Sequence, residues 1–187
     1  MKEQKFNISF IALIAASFLL IVSFFLPFAS ADGKYKDYLK DNPKGMFAEE
    51  IDMTNKEAVN ISLIEYAKMY GYVATSMDGR DQQQGILSLV LIIAMGVFSI
   101  LTLIFAIMKK SIRTIVFDCF SFLFFFLYTF DLKDRGVLPS DDYNYGIAYY
   151  LYIIFSIIII ISLIWYIINS KKQKKSSQSV NSYEENA

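Results

Sequence analysis

The sequence predicts an all-α integral membrane protein: a four-transmembrane-helix bundle with a mainly helical extracellular loop domain between helices 1 and 2. Three observations predict it, namely four long apolar runs, one long polar segment and an uneven distribution of basic residues. A helix needs ~20 apolar residues to cross ~30 Å of hydrocarbon, and each run is close to that length. The predicted transmembrane segments are 6–28, 86–108, 114–130 and 147–168.

The basic residues predict the orientation, because Lys and Arg concentrate in short cytoplasmic connections. They fall in the segment 1–5, in the connection 109–113 and in the tail 171–187, and they are Lys2, Lys5, Lys109, Lys110, Arg113, Lys171, Lys172, Lys174 and Lys175. The short connection 131–144 has two basic and four acidic residues. We therefore expect a plasma-membrane protein with both termini cytoplasmic and the loops 32–85 and 131–144 outside. The polar composition of the tail predicts disorder behind its basic patch.

The first run has an alternative interpretation as a signal peptide. Ala29, Ser30 and Ala31 follow a basic start and an apolar stretch, and they match the small-x-small pattern of a cleavage site. The apolar stretch is longer than the ~7–15 residues of a signal core, which favours a retained transmembrane helix. Cleavage after Ala31 would leave three spans with the same sidedness.

The loop 32–85 predicts a helix of its own. Thr54 and Glu57 have the spacing of a capping box, so we expect a helix over about 55–72. Its apolar positions recur along one helix face, and they are Val59, Leu63, Tyr66 and Tyr70. That face either packs on the outer ends of the bundle or serves as a docking face for a partner. The loop carries ten acidic and seven basic residues, which predicts a solvated acidic surface.

Each apolar run also carries small or hydroxyl residues at helical spacing, which predicts helix packing and hydrogen bonds between helices. Asp118 differs from these, because a carboxylate within a span is costly and marks a candidate site. The candidate polar site comprises Asp118, Thr102, Thr114 and Ser121. Lys109, Lys110 and Arg113 are candidate ion-pair partners, which would make Asp118 a structural anchor. A proton or cation site is the alternative.

Composition narrows the possible chemistry. The chain has no histidine, and Cys119 is its single cysteine, so Ser-His and Cys-His pairs and an internal disulfide are excluded. No phosphate-binding loop or metal-ligand cluster occurs, so we expect no cofactor, no metal and no catalytic activity. The formal net charge is zero, which gives no sign of nucleic-acid binding. The abundance of Lys, Ile and Phe indicates an AT-rich bacterial source.

The layout of four spans with a large first outer loop and a smaller second one resembles that of claudin-like tetraspan proteins. The paired loop cysteines of that family are missing here, so no residue role is transferred. The sequence favours a non-catalytic interaction, accessory or assembly component that presents the outer helix to a partner. The partners expected are the lipid bilayer and another membrane or extracellular protein, or a second copy of the chain. The alternative is a subunit of a small oligomeric transporter or channel that uses Asp118.

Overall fold

The structure is a computed structural model that describes the backbone of residues 8–184 and the side chains of residues 8–168. The predicted cytoplasmic segment 1–5 lies outside the described residues. The helices are α1 (Ile8–Val22), α2 (Gly33–Asp41), α3 (Asn55–Ala58), α4 (Leu63–Ser76), α5 (Gly79–Ile107), α6 (Ser111–Asp134) and α7 (Ile147–Glu184). The strands are β1 (Pro27–Ala31), β2 (Met46–Ala48), β3 (Met53–Thr54), β4 (Asn60–Ser62) and β5 (Tyr143–Tyr145).

Four helical segments are long and apolar enough to cross a membrane, which confirms a mainly helical, multi-pass, membrane-embedded protein. They are Ile8–Phe25, Gly79–Ile107, Ser111–Asp134 and Ile147–Ile168. Their outward faces carry exposed Ile, Leu and Phe, while Ser, Thr and Asp118 are buried between the helices. This is the reverse of a water-soluble bundle, and it is the pattern that lipid imposes, because polar side chains find hydrogen-bond partners only inside the protein.

The four spans form a ring in which α1 packs on α5 and α7, and α6 packs on α5 and α7. Lys109 in the α5–α6 connection lies over the ring of Phe10 near the start of α1, and Phe10 also contacts Tyr166 of α7. We call this end of the bundle the turn end. The strands and the helices α2, α3 and α4 lie at the opposite end, which we call the domain end.

The first span ends earlier than the predicted residue 28. Helix α1 stops at Val22, tightens into one 3-10 turn over Ser23–Phe25 and then becomes extended. Pro27 explains the stop, because proline lacks a backbone N–H and clashes with a preceding helical turn. Residues 27–31 instead form the strand β1, where the apolar run predicted the end of a helix.

Strand β1 is the middle strand of a three-stranded antiparallel sheet with the order β4-β1-β5. Ala29 pairs with Ile61 on one side and with Tyr145 on the other. At the start of α7, the N–H of Gly146 donates to the carbonyl of Phe28 at 2.7 Å. A side chain at residue 146 would place its Cβ 2.3 Å from the carbonyl oxygen of Pro27, so this crossing requires glycine.

We call residues 27–78 and 135–146 together the cap. Thr54 begins a helix with the predicted capping box, but that helix, α3, ends at Ala58. The chain then extends through β4, and Ser62 with Glu65 forms a second capping box that begins α4. The predicted helix over about 55–72 is therefore wrong, because pairing of residues 60–62 with β1 interrupts it.

Helix α7 continues past the apolar run to Glu184, through most of the tail for which we expected disorder. Residues 147–184 contain no glycine and no proline, so no strong helix breaker stops the helix where the apolar residues end. The last residues of the tail lie outside the described residues.

Candidate functional site

A hydroxyl cluster joins three of the four spans inside the bundle. The Ser99 hydroxyl of α5 lies 2.7 Å from that of Ser121 in α6, and the Tyr152 hydroxyl of α7 lies 2.5 Å from Ser121 and 3.2 Å from Ser99. Ser121 is also 3.1 Å from the carbonyl oxygen of Met95. The cluster thus meets its own hydrogen-bonding needs, and it holds α5, α6 and α7 in register.

Asp118 lies one helical turn from Ser121, toward the turn end. Its relative accessibility is 0%, and neither carboxyl oxygen has a hydrogen-bond partner among the described residues. The hydroxyl of Ser156, one turn along α7 from Tyr152, is also buried and unpartnered. Two buried polar groups without hydrogen-bond partners among the described residues, Asp118 and Ser156, therefore lie one helical turn from members of the hydroxyl cluster.

The predicted ion pairs to Asp118 do not form. Lys109 lies over the ring of Phe10 at 5.1 Å, and the Arg113 guanidinium lies over the ring of Phe105 at 5.5 Å. Lys110 is exposed. The interpretation of Asp118 as an anchor for the turn is therefore wrong, because Asp118 points into the bundle while the basic side chains lie around its turn end.

The other two predicted polar residues are satisfied within their own helices. Thr102 donates to the carbonyl of Phe98 at 2.8 Å, and Thr114 donates to that of Lys110 at 3.2 Å. Both side chains are buried. Of the four predicted members of the polar site, Ser121 makes hydrogen bonds to other helices, and the Asp118 side chain makes none to any described residue. Ser99 and Tyr152 are not among the predicted site residues, and their sequence signal is a hydroxyl at helical spacing within an apolar run.

Aromatic rings close the hydroxyl cluster toward the domain end. Phe125 stacks on Tyr152 with ring centroids 4.4 Å apart and an interplanar angle of 4°, and Phe24 contacts the same tyrosine. Phe125 also contacts Phe28, which is fully buried and surrounded by further rings. The aromatic layer separates the polar interior from the cap.

A second polar cluster fastens the cap to the bundle at the domain end. The Arg135 guanidinium forms an ion pair with Asp131 and donates to Ser88 at 2.8 Å and to Tyr70 at 3.3 Å. It also lies 5.5 Å from the ring centroid of Tyr70. These contacts connect α4, α5 and α6. Asp131 precedes Arg135 by four residues, a spacing that is a sequence signal for this ion pair.

The predicted docking face is not accessible. Leu63 and Tyr66 are buried in the main core, Val59 is buried in a smaller core inside the cap, and Tyr70 packs against the main core. Tyr66 and Tyr70 both contact Tyr128 of α6. The face is therefore not free for docking: Leu63, Tyr66 and Tyr70 pack on the domain end of the bundle, whereas Val59 packs inside the cap.

The cap does expose a different aromatic side chain. Tyr38 on α2 is 60% exposed, and its ring stacks on that of Tyr35 at 6.2 Å. Tyr35 contacts the ring of Tyr143, whose hydroxyl donates to the carbonyl of Ala58 at 2.8 Å. Burial raises the pKa of the Tyr143 hydroxyl, and Tyr35 adds to the effect. The exposed ring of Tyr38 therefore rests on a well-packed support.

The geometry defines a class, a multi-pass helical bundle with a mixed α/β cap and a buried polar interior. Comparison with known protein families, with curated proteins and with solved structures gives no match. The function is therefore argued from the residues of this chain alone.

Proposed function

We propose that this protein is a non-catalytic interaction, accessory or assembly component of the plasma membrane that presents its cap to another membrane or extracellular protein. The observation that carries the proposal is the exposed Tyr38 ring on its support of Tyr35 and Tyr143. Tyrosine is enriched among the residues that dominate interface energies, since it contributes a large contact area at a low entropic cost.

The attachment of the cap supports the same proposal. The sheet and the Arg135 cluster join three parts of the cap to one another. One part follows α1, one precedes α5 and one precedes α7. A surface held this firmly loses little conformational freedom on binding. The acidic excess of the segment 32–85 favours a partner whose contact face has a basic rim.

The proposed orientation has the turn end in the cytoplasm and the cap outside. The basic residues of the α5–α6 connection support it through the charge bias of cytoplasmic loops. We also propose that the first span is retained after synthesis. Ala29 and Ala31 are buried in the middle strand of the sheet, and α1 packs on both α5 and α7, so cleavage after Ala31 would remove part of the core.

The test is affinity purification of the tagged full chain from its native membrane in a mild detergent. We expect a stoichiometric partner to copurify with the wild type and with Lys40→Ala, a matched exposed position on α2. Tyr38→Ala should reduce the yield of that partner at least tenfold, and raised salt should weaken the complex. Purification without a partner, retention of the partner by Tyr38→Ala or a complex made only of this chain would each overturn the proposal.

A second candidate function is a subunit of a small oligomeric transporter or channel. The observation that favours it is the buried carboxyl of Asp118, which has no hydrogen-bond partner among the described residues. Intramembrane carboxylates mark proton and ion pathways in many membrane proteins. A proton- or cation-dependent flux in vesicles containing the wild type, lost in Asp118→Asn and kept in Asp134→Asn, would establish this function. Wild-type vesicles without flux would exclude it.

A further inference from the structure

We propose that Asp118 is a reversible proton-binding site that exchanges protons with the turn end of the bundle. The claim is narrower than transport: it develops the second candidate function, but it stands whether or not the chain binds a partner or carries a flux. Three features of the bundle support the proposal. They are the lack of a charged partner for the carboxyl group, the neutral hydroxyls of the neighbouring helices and the position of Asp118 nearer to the turn end.

The isolation of Asp118 is electrostatic as well as geometric. No other acidic or basic residue lies between Arg113 and Asp131 in α6, and the segments Ile8–Phe25 and Ile147–Ile168 contain none. In α5 such residues occur only at the domain end. No described residue supplies a counter-charge to the carboxylate, so uptake of a proton removes a buried charge that nothing else neutralises.

The buried polar side chains that the neighbouring helices carry near the level of Asp118 are neutral hydroxyls. Thr102 and Ser99 belong to α5, and Tyr152 and Ser156 belong to α7. The nearest charged groups, Arg113 and the two lysines of the turn, lie around the turn end. Protonation converts the carboxylate into a neutral acid, which is less costly to bury without a partner. The step adds one proton taken from water and requires no other reactant.

The side-chain oxygen atoms of this region suit the binding of a proton better than the binding of a metal ion. A hard cation binds about six or more oxygen atoms, several of them charged or carbonyl oxygens. Over residues 8–168, no group of three or more acidic or cysteine side chains is placed to hold a metal. Ser99, Ser121 and Tyr152 hydrogen-bond to one another, so they are not free to form a coordination shell.

Asp118 lies nearer to the turn end of the bundle than to the domain end. Toward the domain end, Phe125 stacks flat on Tyr152, and the ring cluster around Phe28 follows. Toward the turn end, one helical turn separates Asp118 from Thr114, and the exposed residues Lys109 and Lys110 follow. Along α6, Asp118 lies five residues from Arg113, about 7.5 Å at ~1.5 Å per residue, and thirteen residues from Asp131. The turn end is therefore the nearer of the two ends for exchange of a proton with water.

The test is infrared spectroscopy of the full chain in lipid bilayers with isotope-labelled aspartate, titrated between about pH 4 and pH 10. We expect one labelled carboxylic-acid carbonyl band that is lost reversibly as the pH rises. The band should be missing in Asp118→Asn and unchanged in Asp134→Asn, a matched change at the exposed end of α6. A band that is absent throughout, constant throughout or still present in Asp118→Asn overturns the proposal.

Two further measurements complete the test. If Asp118→Asn fails to fold, Asp118→Glu with labelled glutamate should transfer the titrating band from the aspartate to the glutamate label, and a band that stays with aspartate overturns the assignment. In sealed vesicles of known orientation, a pH jump on the turn side should change the band, whereas a jump on the domain side should not. A response to the domain side overturns the proposed access. The flux assay tests transport separately.

Discussion

Arg135 is the residue whose loss should most directly release the cap from the bundle. Arg135→Met keeps an apolar stem but removes the ion pair to Asp131, the hydrogen bonds to Ser88 and Tyr70, and the cation–π contact with Tyr70. Hydrogen bonds to charged groups contribute ~1.5–3 kcal/mol, and a partly exposed cation–π contact ~0.5–1 kcal/mol. The guanidinium is partly solvated, so the combined loss should be about 2 kcal/mol, between the values for surface and buried pairs.

The assay is amide hydrogen exchange over α4 in detergent micelles or bilayers. Because ~1.4 kcal/mol corresponds to a tenfold change in an equilibrium constant, a loss of about 2 kcal/mol should speed exchange in α4 roughly 30-fold. The spans should keep the exchange rates of the wild type. Lys133→Met is the matched control, since this residue is exposed at the same helix end. Exchange in α4 that matches the wild type, or that rises equally in Lys133→Met, would refute the role assigned to Arg135.

Three further predictions follow from the cap and the turn. Gly146→Ala should destabilise the protein by about 1–3 kcal/mol in denaturant titrations, because its Cβ meets a backbone oxygen of β1, whereas Gly71→Ala enters open space in a helix and should not destabilise it. Ser62→Ala removes the side-chain hydroxyl that caps the N-terminus of α4, and it should lower the stability of that helix by ~0.5–2 kcal/mol, measured by amide exchange. Unchanged exchange in α4 would contradict the capping role of Ser62. With Cys119 replaced by serine, a cysteine introduced at Lys44 should react with an impermeant thiol reagent on intact cells and one at Lys110 should not; the reverse labelling would contradict the proposed orientation.

Local composition determined the membrane spans, because crossing a bilayer depends on the length and the apolar content of one continuous segment. The capping boxes were also readable from the local sequence, because each depends on two residues three positions apart. Thr54 and Glu57 were recognised, and Ser62 and Glu65 show the same pattern three residues apart. A fuller use of that pattern would have placed the start of α4 from the sequence alone.

Tertiary structure alone decided the sheet. Strands β1, β4 and β5 are short, and each pairs with a segment that is distant along the chain, so no local period marks them. Pairing with β1 also ended the helix that begins after Thr54. The face predicted for docking was identified correctly as apolar, but whether such a face meets a partner or its own core depends on what the fold brings against it.

Asp118 shows the same division at the candidate site. The sequence alone determined that one carboxylate lies within a span, because a charged residue stands out in an otherwise apolar run. The sequence could not show which side chains lie near that carboxylate. The rotation of each helix about its axis, and which helices are neighbours, depend on packing between helices. Tertiary structure placed Lys109 and Arg113 over rings at the turn end and buried the Asp118 carboxyl without a hydrogen-bond partner among the described residues, so the expected ion pair does not form.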